Sequence, residues 1–195
     1  IGAGPAGLSC AFYLAEKGYS PVIFEKNEKP GGMLRYGIPS FKLEKDVIDA
    51  EIDIIKAMGV EIKCGIEVGK DVTLDELRAQ GYKAFYIAIG CQGGRKAGIP
   101  GEDAEGVMTA VDFLRTVGAD ESYPVTGKAV VVGGGNVAID VARTAQRCGA
   151  ESVAMFCLEP RDKMPASEEE IAEALEENVT IDCGWGPKEI LTENG

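Results

Sequence analysis

Residues 1–7 read IGAGPAG and residues 132–138 read VGGGNVA, so the second stretch repeats the first 131 positions later. Each has the GxGxxG or GxGxxA spacing of the loop that joins a strand to a helix in dinucleotide-binding βαβ units. The first glycine permits a tight turn, the second lets a pyrophosphate approach the backbone, and the third small residue lets helix and strand pack closely. The repeat therefore predicts an α/β fold with two Rossmann-like dinucleotide-binding units.

A single glycine loop is a weak signal, but its surroundings strengthen it. Glu25 follows the next predicted strand, where a carboxylate can accept hydrogen bonds from adenosine ribose hydroxyls. The N-terminus of the helix after each loop stabilises phosphate charge. Two such sites in one chain predict a two-dinucleotide-binding-domain flavoprotein, with FAD in the first unit and a nicotinamide cofactor in the second, and the cofactors carry the chemistry.

The hydrophobic pattern alternates strands with helices, which predicts parallel, doubly wound sheets. We expect an FAD-binding unit at 1–95, a connecting segment rich in Gly and Pro at 96–126, and an NAD(P)-binding unit at 127–195. Thr73, and Ser167 with Glu170, are expected to cap helices. Helices are predicted at 5–17, 43–58, 74–80, 109–117, 136–148 and 168–176, and strands at 19–24, 60–64, 83–89, 128–132, 151–157 and 179–183.

Composition narrows the possible functions. The net charge of −12 argues against a nucleic-acid partner, which requires a basic surface. The chain has no histidine, so Ser-His-Asp triads and His-ligated metals are excluded, and we assign no catalytic side chain and no metal site. No apolar run approaches the roughly 20 residues that cross a bilayer. Six widely spaced cysteines without a visible signal peptide predict reduced thiols in a cytoplasmic protein.

Both ends of the sequence suggest that the chain is a fragment. The glycine loop normally follows a strand of about five residues, and Ile1 is all that remains of it. At the other end, residues 192–195 predict a hairpin turn with no second strand. We therefore expect each dinucleotide-binding unit to be incomplete in this chain.

Residues 31–39 read GGMLRYGIP, a more specific pattern than the glycine loops. It is followed by AIG at 88–90, IPGED at 99–103 and MPA at 164–166. In this order, the stretches closely resemble the small (β) subunit of glutamate synthase, across nearly the whole chain. They also resemble the NAD(P)H-reducing half of dihydropyrimidine dehydrogenase and the flavin subunit of ferredoxin:NADP transhydrogenases.

The resemblance implies an NAD(P)H-dependent FAD oxidoreductase that passes electrons on to iron–sulfur centres or a partner subunit. The family's cysteine clusters lie upstream of the first glycine loop, and its FAD domain is completed by a C-terminal segment. Neither is present here, so iron–sulfur clusters are expected only in missing segments or in a partner.

The candidate cofactor-binding residues come from the glycine loops and from the resemblance. The resemblance implies that Gly31, Gly32, Leu34 and residues 88–90 lie near the flavin and that Val68 meets the adenine through its backbone. For FAD the candidates are Gly2, Gly4, Pro5, Ala6, Gly7, Glu25, Lys26, Gly31, Gly32, Leu34, Val68, Ala88, Ile89 and Gly90. For the nicotinamide cofactor they are Gly133, Gly135, Asn136, Val137, Ala138, Glu159 and Arg161.

The choice between NAD(H) and NADP(H) rests on the segment after the second unit's second strand. Relatives that use NADPH tend to carry a pair of arginines there, and counting back from MPA at 164–166 places Glu159 at the second arginine. A carboxylate accepts from ribose hydroxyls and repels a 2′-phosphate, which favours NAD(H). However, Glu159 lies three residues beyond Phe156, the ungapped counterpart of Glu25, and Arg161 remains available to a phosphate.

Two other functions stay open. The chain could be a dinucleotide-binding module without activity of its own, which the truncated ends favour. It could also be a flavin disulfide reductase, but such enzymes carry their redox cysteines as CxxxxC or CxxC. The loop at 31–39 has no cysteine, and Cys157 stands alone in the second unit's sequence.

Overall fold

The computed structural model describes residues 1–193, which form two compact units. The first covers residues 1–92 and the second starts at residue 93. Parallel strands and helices alternate in each, which confirms the predicted α/β fold. The predicted hairpin turn at 192–195 lies partly outside the described residues. No helix of the described part of the chain is long and apolar enough to span a membrane.

The first unit has a two-stranded parallel sheet in which Glu25 pairs with Cys64 at the carboxyl end. Leu8, Ile23 and Ile52 are among the residues of its apolar core. The first glycine loop lies at the N-terminus of the first helix of this unit. The elements are α1 (Pro5–Glu16), β1 (Val22–Glu25), α2 (Met33–Tyr36), α3 (Lys45–Ala57), β2 (Glu61–Cys64) and α4 (Leu74–Ala79).

Local sequence explains both ends of α1. Gly4 is its N-cap in an extended conformation, and Pro5 occupies the first turn, where its fixed φ fits and its missing N–H costs no hydrogen bond. Beyond the C-cap, Gly18 adopts a positive φ of 82° that suits glycine after a helix. The short helix α2, which follows Gly32, was not predicted, since four residues are too few to show helical periodicity.

The predicted buried strand at residues 83–89 is wrong for this structure. The segment is not part of a sheet, and the side chains of Tyr86 and Ile89 are more than half exposed. Its hydrogen bonds run to Ile1, whose amino group donates to the Tyr86 carbonyl (2.8 Å) and whose carbonyl accepts from the Ala88 amide (2.8 Å). These two bonds have the pattern of a parallel strand pair, but a single paired residue does not make a β-ladder.

The second unit has a three-stranded parallel sheet in the order β3-β4-β5. Its core includes Ile139 of the central helix and Met155 of the central strand, both fully buried. The segment predicted as a connection contributes Phe113 and Leu114 to this core. The elements are α5 (Ala110–Ala119), β3 (Lys128–Val132), α6 (Asn136–Arg147), β4 (Ser152–Cys157), a 3-10 turn (Arg161–Lys163), α7 (Glu168–Glu176) and β5 (Thr180–Cys183).

The two predicted helix caps have different outcomes. Thr73 forms a full capping box with Glu76 at the start of α4. At α7, the Ser167 side chain accepts from the Glu170 amide, but the reciprocal bond to the Ser167 amide is made by another residue. That amide donates to the side-chain oxygen of Asn136 at 2.9 Å. One of the two bonds of the predicted capping box therefore forms, and in the other Asn136 replaces Glu170 as the acceptor.

Candidate functional site

The first glycine loop is held by two backbone approaches that leave no room for a side chain. The Gly2 amide donates to the Phe24 carbonyl at 2.8 Å, and Gly2 has a positive φ of 98°. A Cβ on Gly2 would lie 2.3 Å from the Ala88 carbonyl oxygen, and a Cβ on Gly7 would lie 1.9 Å from the Gly2 carbonyl oxygen. Glycine is therefore required at 7 by the turn into the helix, and at 2 by the Ala88 backbone that packs against the loop.

Gly4 has a different role, because the space beside it is open. A Cβ on Gly4 would meet nothing closer than the Gly32 Cα at 3.8 Å. The N-terminus of α1 has no side-chain cap, so the amides of its first turn remain for another acceptor. An open glycine beside an uncapped helix N-terminus fits a pyrophosphate close to the backbone. The first loop therefore fits the pyrophosphate of a dinucleotide such as FAD.

Glu25 is buried and tied to the glycine loop. Its exposed fraction is 5%, and Oε2 accepts from the Ala3 amide at 2.7 Å. Its Oε1 accepts from the amide and side-chain nitrogens of Asn27 at 2.8 and 2.6 Å. The sequence predicted a ribose acceptor, and the structure adds that this carboxylate positions the loop. Each carboxylate oxygen can accept more than one hydrogen bond, so Glu25 retains capacity for a ribose hydroxyl.

The segment 31–39 lies against the first glycine loop. The Gly31 amide donates to the Ala3 carbonyl at 2.8 Å. Gly32 has a positive φ of 55°, and a Cβ there would lie 2.7 Å from the Gly4 Cα. Buried Arg35 holds the segment in place, since it donates to the Pro30 carbonyl at 2.7 Å and pairs with Asp49. The glycine pair of this segment therefore borders the open space at Gly4.

The other FAD candidates are more dispersed. Ala88 lies against both Gly2 and Gly7 and so belongs to the loop. Lys26, Ile89 and Gly90 are exposed, and Leu34 is half-buried on α2. Val68 forms an isolated bridge with Val72, a small turn after β2.

The second glycine loop repeats the geometry of the first. The Gly133 amide donates to the Phe156 carbonyl at 2.9 Å, and Gly133 has a positive φ of 144°. A Cβ on Gly135 would meet nothing within 4 Å, and α6 has no side-chain cap. The Ala166 amide donates to the Gly134 carbonyl at 2.9 Å, as Gly31 does to Ala3. This loop therefore fits the pyrophosphate of a nicotinamide cofactor.

These matching bonds correct the predicted counterpart of Glu25. Since Phe24 and Phe156 accept the same bond in the two units, the residue that corresponds to Glu25 is Cys157, not Phe156. Two further bonds agree, because the Glu25 carbonyl accepts from Ile66 at 3.0 Å and the Cys157 carbonyl from Trp185 at 2.9 Å. The stretch from the loop glycine to the strand residue that it bonds is one residue longer in the second unit (Gly133 to Phe156) than in the first (Gly2 to Phe24), which ungapped counting cannot detect.

Glu159 then corresponds to Asn27. The carbonyls of Asn27 and Glu159 accept from Gly65 and Gly184 at 3.0 and 3.1 Å. The Glu159 side chain is directed toward the second loop, since its Oε2 would lie 3.4 Å from a Cβ on Gly134. The carboxylate therefore lies beside the glycine loop although it is displaced from the end of the strand.

Three other candidates of this site take structural partners. Asn136 accepts the Ser167 amide at 2.9 Å and so links the start of α6 to the start of α7. Exposed Arg161 makes a two-bond ion pair with Glu168 at 3.0 and 2.8 Å. A phosphate at Arg161 would have to compete with this carboxylate. Val137 is half-exposed at the start of α6, and Ala138 lies 3.3 Å from a Cβ placed on Gly133.

The expectation that Cys157 stands alone is wrong. Cys157 pairs with Cys183 across the parallel strands β4 and β5, and their Sγ atoms lie 3.5 Å apart. Burial raises the pKa of the Cys157 thiol to about 11, and the neighbouring Cys183 and Glu159 add to the rise. Sequence spacing gave no signal because the two cysteines are 26 residues apart and meet only through strand pairing.

Parallel sheets with two uncapped helix N-termini beside glycine loops are typical of a dinucleotide-binding α/β protein. The chain belongs to the pyridine nucleotide-disulphide oxidoreductase family, whose model matches residues 1–194. Members of this family bind FAD and NAD(P)H. The family resemblance inferred from the glycine loops and from residues 31–39 is therefore confirmed.

Three curated relatives are similar along the whole chain. The NADP(+)-dependent formate dehydrogenase subunit beta of Moorella thermoacetica is 44% identical over all of this chain and 28% of its own length. The NAD-dependent dihydropyrimidine dehydrogenase subunit PreT of Escherichia coli O157:H7 is 44% identical, covering 96% and 45%. The glutamate synthase [NADPH] small chain of Halomonas elongata is 39% identical, covering 100% and 43%. The chain thus spans less than half the length of these relatives.

Solved structures share the fold at lower sequence identity. FprA from Mycobacterium tuberculosis in complex with NADPH superposes with a TM-score of 0.71. It is 23% identical and covers 90% of this chain and 46% of its own.

Proposed function

We propose that the chain is the cofactor-binding part of an NAD(P)H-dependent FAD oxidoreductase of the glutamate synthase small-subunit type. The observation that carries this proposal is the repeated loop geometry, in which an open glycine lies beside an uncapped helix N-terminus. Gly4 and Gly135 hold these positions. The family membership supports one flavin and one nicotinamide cofactor. We assign FAD to the first loop because Glu25 and segment 31–39 adjoin it.

When both cofactors are bound, they supply hydride transfer from the reduced nicotinamide to the flavin. The protein's own residues bind and orient the two cofactors. The glycine loops admit the pyrophosphates, the amides of the α1 and α6 first turns donate to phosphate oxygens, and Glu25 fixes the first loop. No side chain is assigned as an acid or a base. The electron acceptor would be an iron–sulfur domain or a partner subunit, and relatives named as subunits support a partner.

The test is anaerobic reduction of the full-length protein. We expect it to purify with bound flavin, or to take up FAD, and the visible flavin band to bleach when NADH or NADPH is added. A full-length protein that lacks flavin and cannot be reconstituted would exclude the proposal. If NADH binds but no flavin is held or reduced, the chain is a nucleotide-binding module without this activity.

Glu159 is proposed to favour NAD(H) over NADP(H). Its carboxylate lies beside Gly134, where it can accept from a ribose hydroxyl and would repel a 2′-phosphate. We expect Glu159→Gln to raise the ratio of the NADH dissociation constant to the NADPH dissociation constant about tenfold, so that NADPH is bound relatively more tightly. Calorimetry with each cofactor measures this ratio. Glu169→Gln, at an exposed residue in the first turn of α7, is the matched control and should leave the ratio unchanged. An unchanged ratio in the Glu159 variant would show that the carboxylate does not select the cofactor.

A further inference from the structure

Cys157 and Cys183 form a dithiol pair at the carboxyl edge of the second sheet. Each is the last residue of its strand, the two are direct partners in the parallel register, and their sulfurs are 3.5 Å apart. At the matching position of the first unit, Cys64 faces the carboxylate residue Glu25 instead. The pair is therefore particular to the second unit.

The backbone geometry suits a disulfide. Neighbouring strands lie about 4.8 Å apart, which falls inside the range of roughly 4.4–6.8 Å that disulfides span between Cα atoms. The residue after Cys183 is Gly184, with a positive φ of 81°, so the chain can adjust where the strand ends. The two sulfurs can approach to bonding distance by side-chain rotation and a small local shift.

The pair adjoins the second glycine loop. A Cβ on Gly134 would lie 2.8 Å from the Cys157 Cβ, so Cys157 packs directly against the loop's middle residue. The Cys157 thiol also donates to the Glu159 carbonyl at 3.3 Å. A change at this sulfur therefore acts on the loop and on Glu159 together.

We propose that Cys157 and Cys183 form a reversible disulfide, and that the oxidised protein binds the pyridine nucleotide more weakly than the reduced one. The second half of this proposal rests on the proposed function, because it takes the second loop as the nucleotide site.

Hydrogen peroxide is a sufficient oxidant. Cys183 is half-buried whereas Cys157 is 1% exposed, so Cys183 reacts first. Its thiolate attacks a peroxide oxygen and the O–O bond breaks, which gives a sulfenic acid and a hydroxide; this hydroxide takes up the proton that Cys183 lost and becomes water. The Cys157 sulfur then attacks the Cys183 sulfur, the S–O bond breaks, and hydroxide leaves as water with the Cys157 proton. Two thiols lose two electrons and two protons, and one peroxide becomes two waters. The high pKa of Cys157 makes this second step faster at alkaline pH.

The disulfide is tested by peptide mapping of the full-length protein. We expect peroxide treatment of the reduced protein, followed by digestion without reductant, to yield a peptide that links Cys157 to Cys183. Cys183→Ser and Cys183→Ala should abolish this peptide, whereas Cys64→Ser, at the matching position of the first unit, should retain it. Peroxide that yields only singly oxidised Cys183, or no linked peptide, would overturn the proposal.

Nucleotide binding is then compared in the same samples. We expect the oxidised protein to bind NADH about tenfold more weakly and a thiol reductant to restore the affinity, with no such change in Cys183→Ser. Equal affinities in the two states would refute the effect on binding. A reduced protein that does not bind NADH would contradict the proposed function instead, and the peptide map would still decide whether the disulfide forms.

Discussion

Replacing Gly7 with alanine is expected to unfold the first unit and abolish flavin binding. The added Cβ would lie 1.9 Å from the Gly2 carbonyl oxygen, so the backbone of either α1 or the loop must move. Because both belong to packed backbone and not to a flexible side chain, we expect a loss of at least ~3 kcal/mol in the free energy of unfolding. Denaturant unfolding, followed by circular dichroism, measures this loss.

Gly4→Ala is the matched control within the same loop. Its Cβ meets nothing closer than 3.8 Å, and Gly4 is an N-cap with ordinary extended angles. We expect the free energy of unfolding to change by less than ~1 kcal/mol, while FAD affinity falls at least about tenfold because the methyl group occupies the place of the pyrophosphate. A Gly4 variant that binds FAD normally would show that the phosphate does not lie there. A stable Gly7 variant would refute the predicted close approach.

Arg143→Ala is expected to destabilise the second unit by ~2–3 kcal/mol. The Arg143 side chain, on α6, is 8% exposed and bonds Glu173 on α7 and Glu177 at the C-cap of α7, at 3.0 and 2.7 Å to Glu177. Its removal leaves two carboxylates at a helix–helix contact without this partner. Arg147→Ala is the control, because Arg147 also bonds Glu177 but its side chain is 48% exposed. We expect that variant to lose less than ~1 kcal/mol. Equal losses would show that burial of Arg143 adds nothing.

The ion pair between Arg143 and Glu177 predicts that the stability of the second unit depends on pH. Burial acts to raise the pKa of Glu177, but hydrogen bonds from Arg147 and Arg143 outweigh it and hold the pKa below its ordinary value. The unfolded state therefore binds more protons than the folded state in acid, so this contribution to stability is present at neutral pH and is lost as the pH falls below about 4.5. We expect the difference between the wild-type protein and Arg143→Ala to shrink as the pH falls through this range.

Much of the fold could be predicted from local sequence. The glycine loops, the helix after each loop and the strand Lys128–Val132 follow from spacing and hydrophobic pattern, and the structure has them. Thr73 and Glu76 form the predicted type of cap because both residues belong to one local turn. The strand predicted at 83–89 failed because a strand needs a neighbour, which a hydrophobic run does not supply.

Features that depend on pairing between distant segments could not be predicted from the sequence. Ungapped counting chose Phe156 as the counterpart of Glu25, and only the matched backbone bonds identify Cys157. A contact only seven residues apart was missed as well, since Arg161 was a phosphate candidate by type but pairs with Glu168 in the structure.

The sequence by itself determined the class of protein, because residues close together in the chain set the loop that admits a pyrophosphate. The repeated glycines at 2, 4 and 7 and at 133 and 135 indicate this loop directly. Only the tertiary structure decided what surrounds each loop: a buried carboxylate at Glu25 in one unit and a dithiol at Cys157 and Cys183 in the other. The reason is that strand register joins residues far apart in the chain, and no local spacing encodes it.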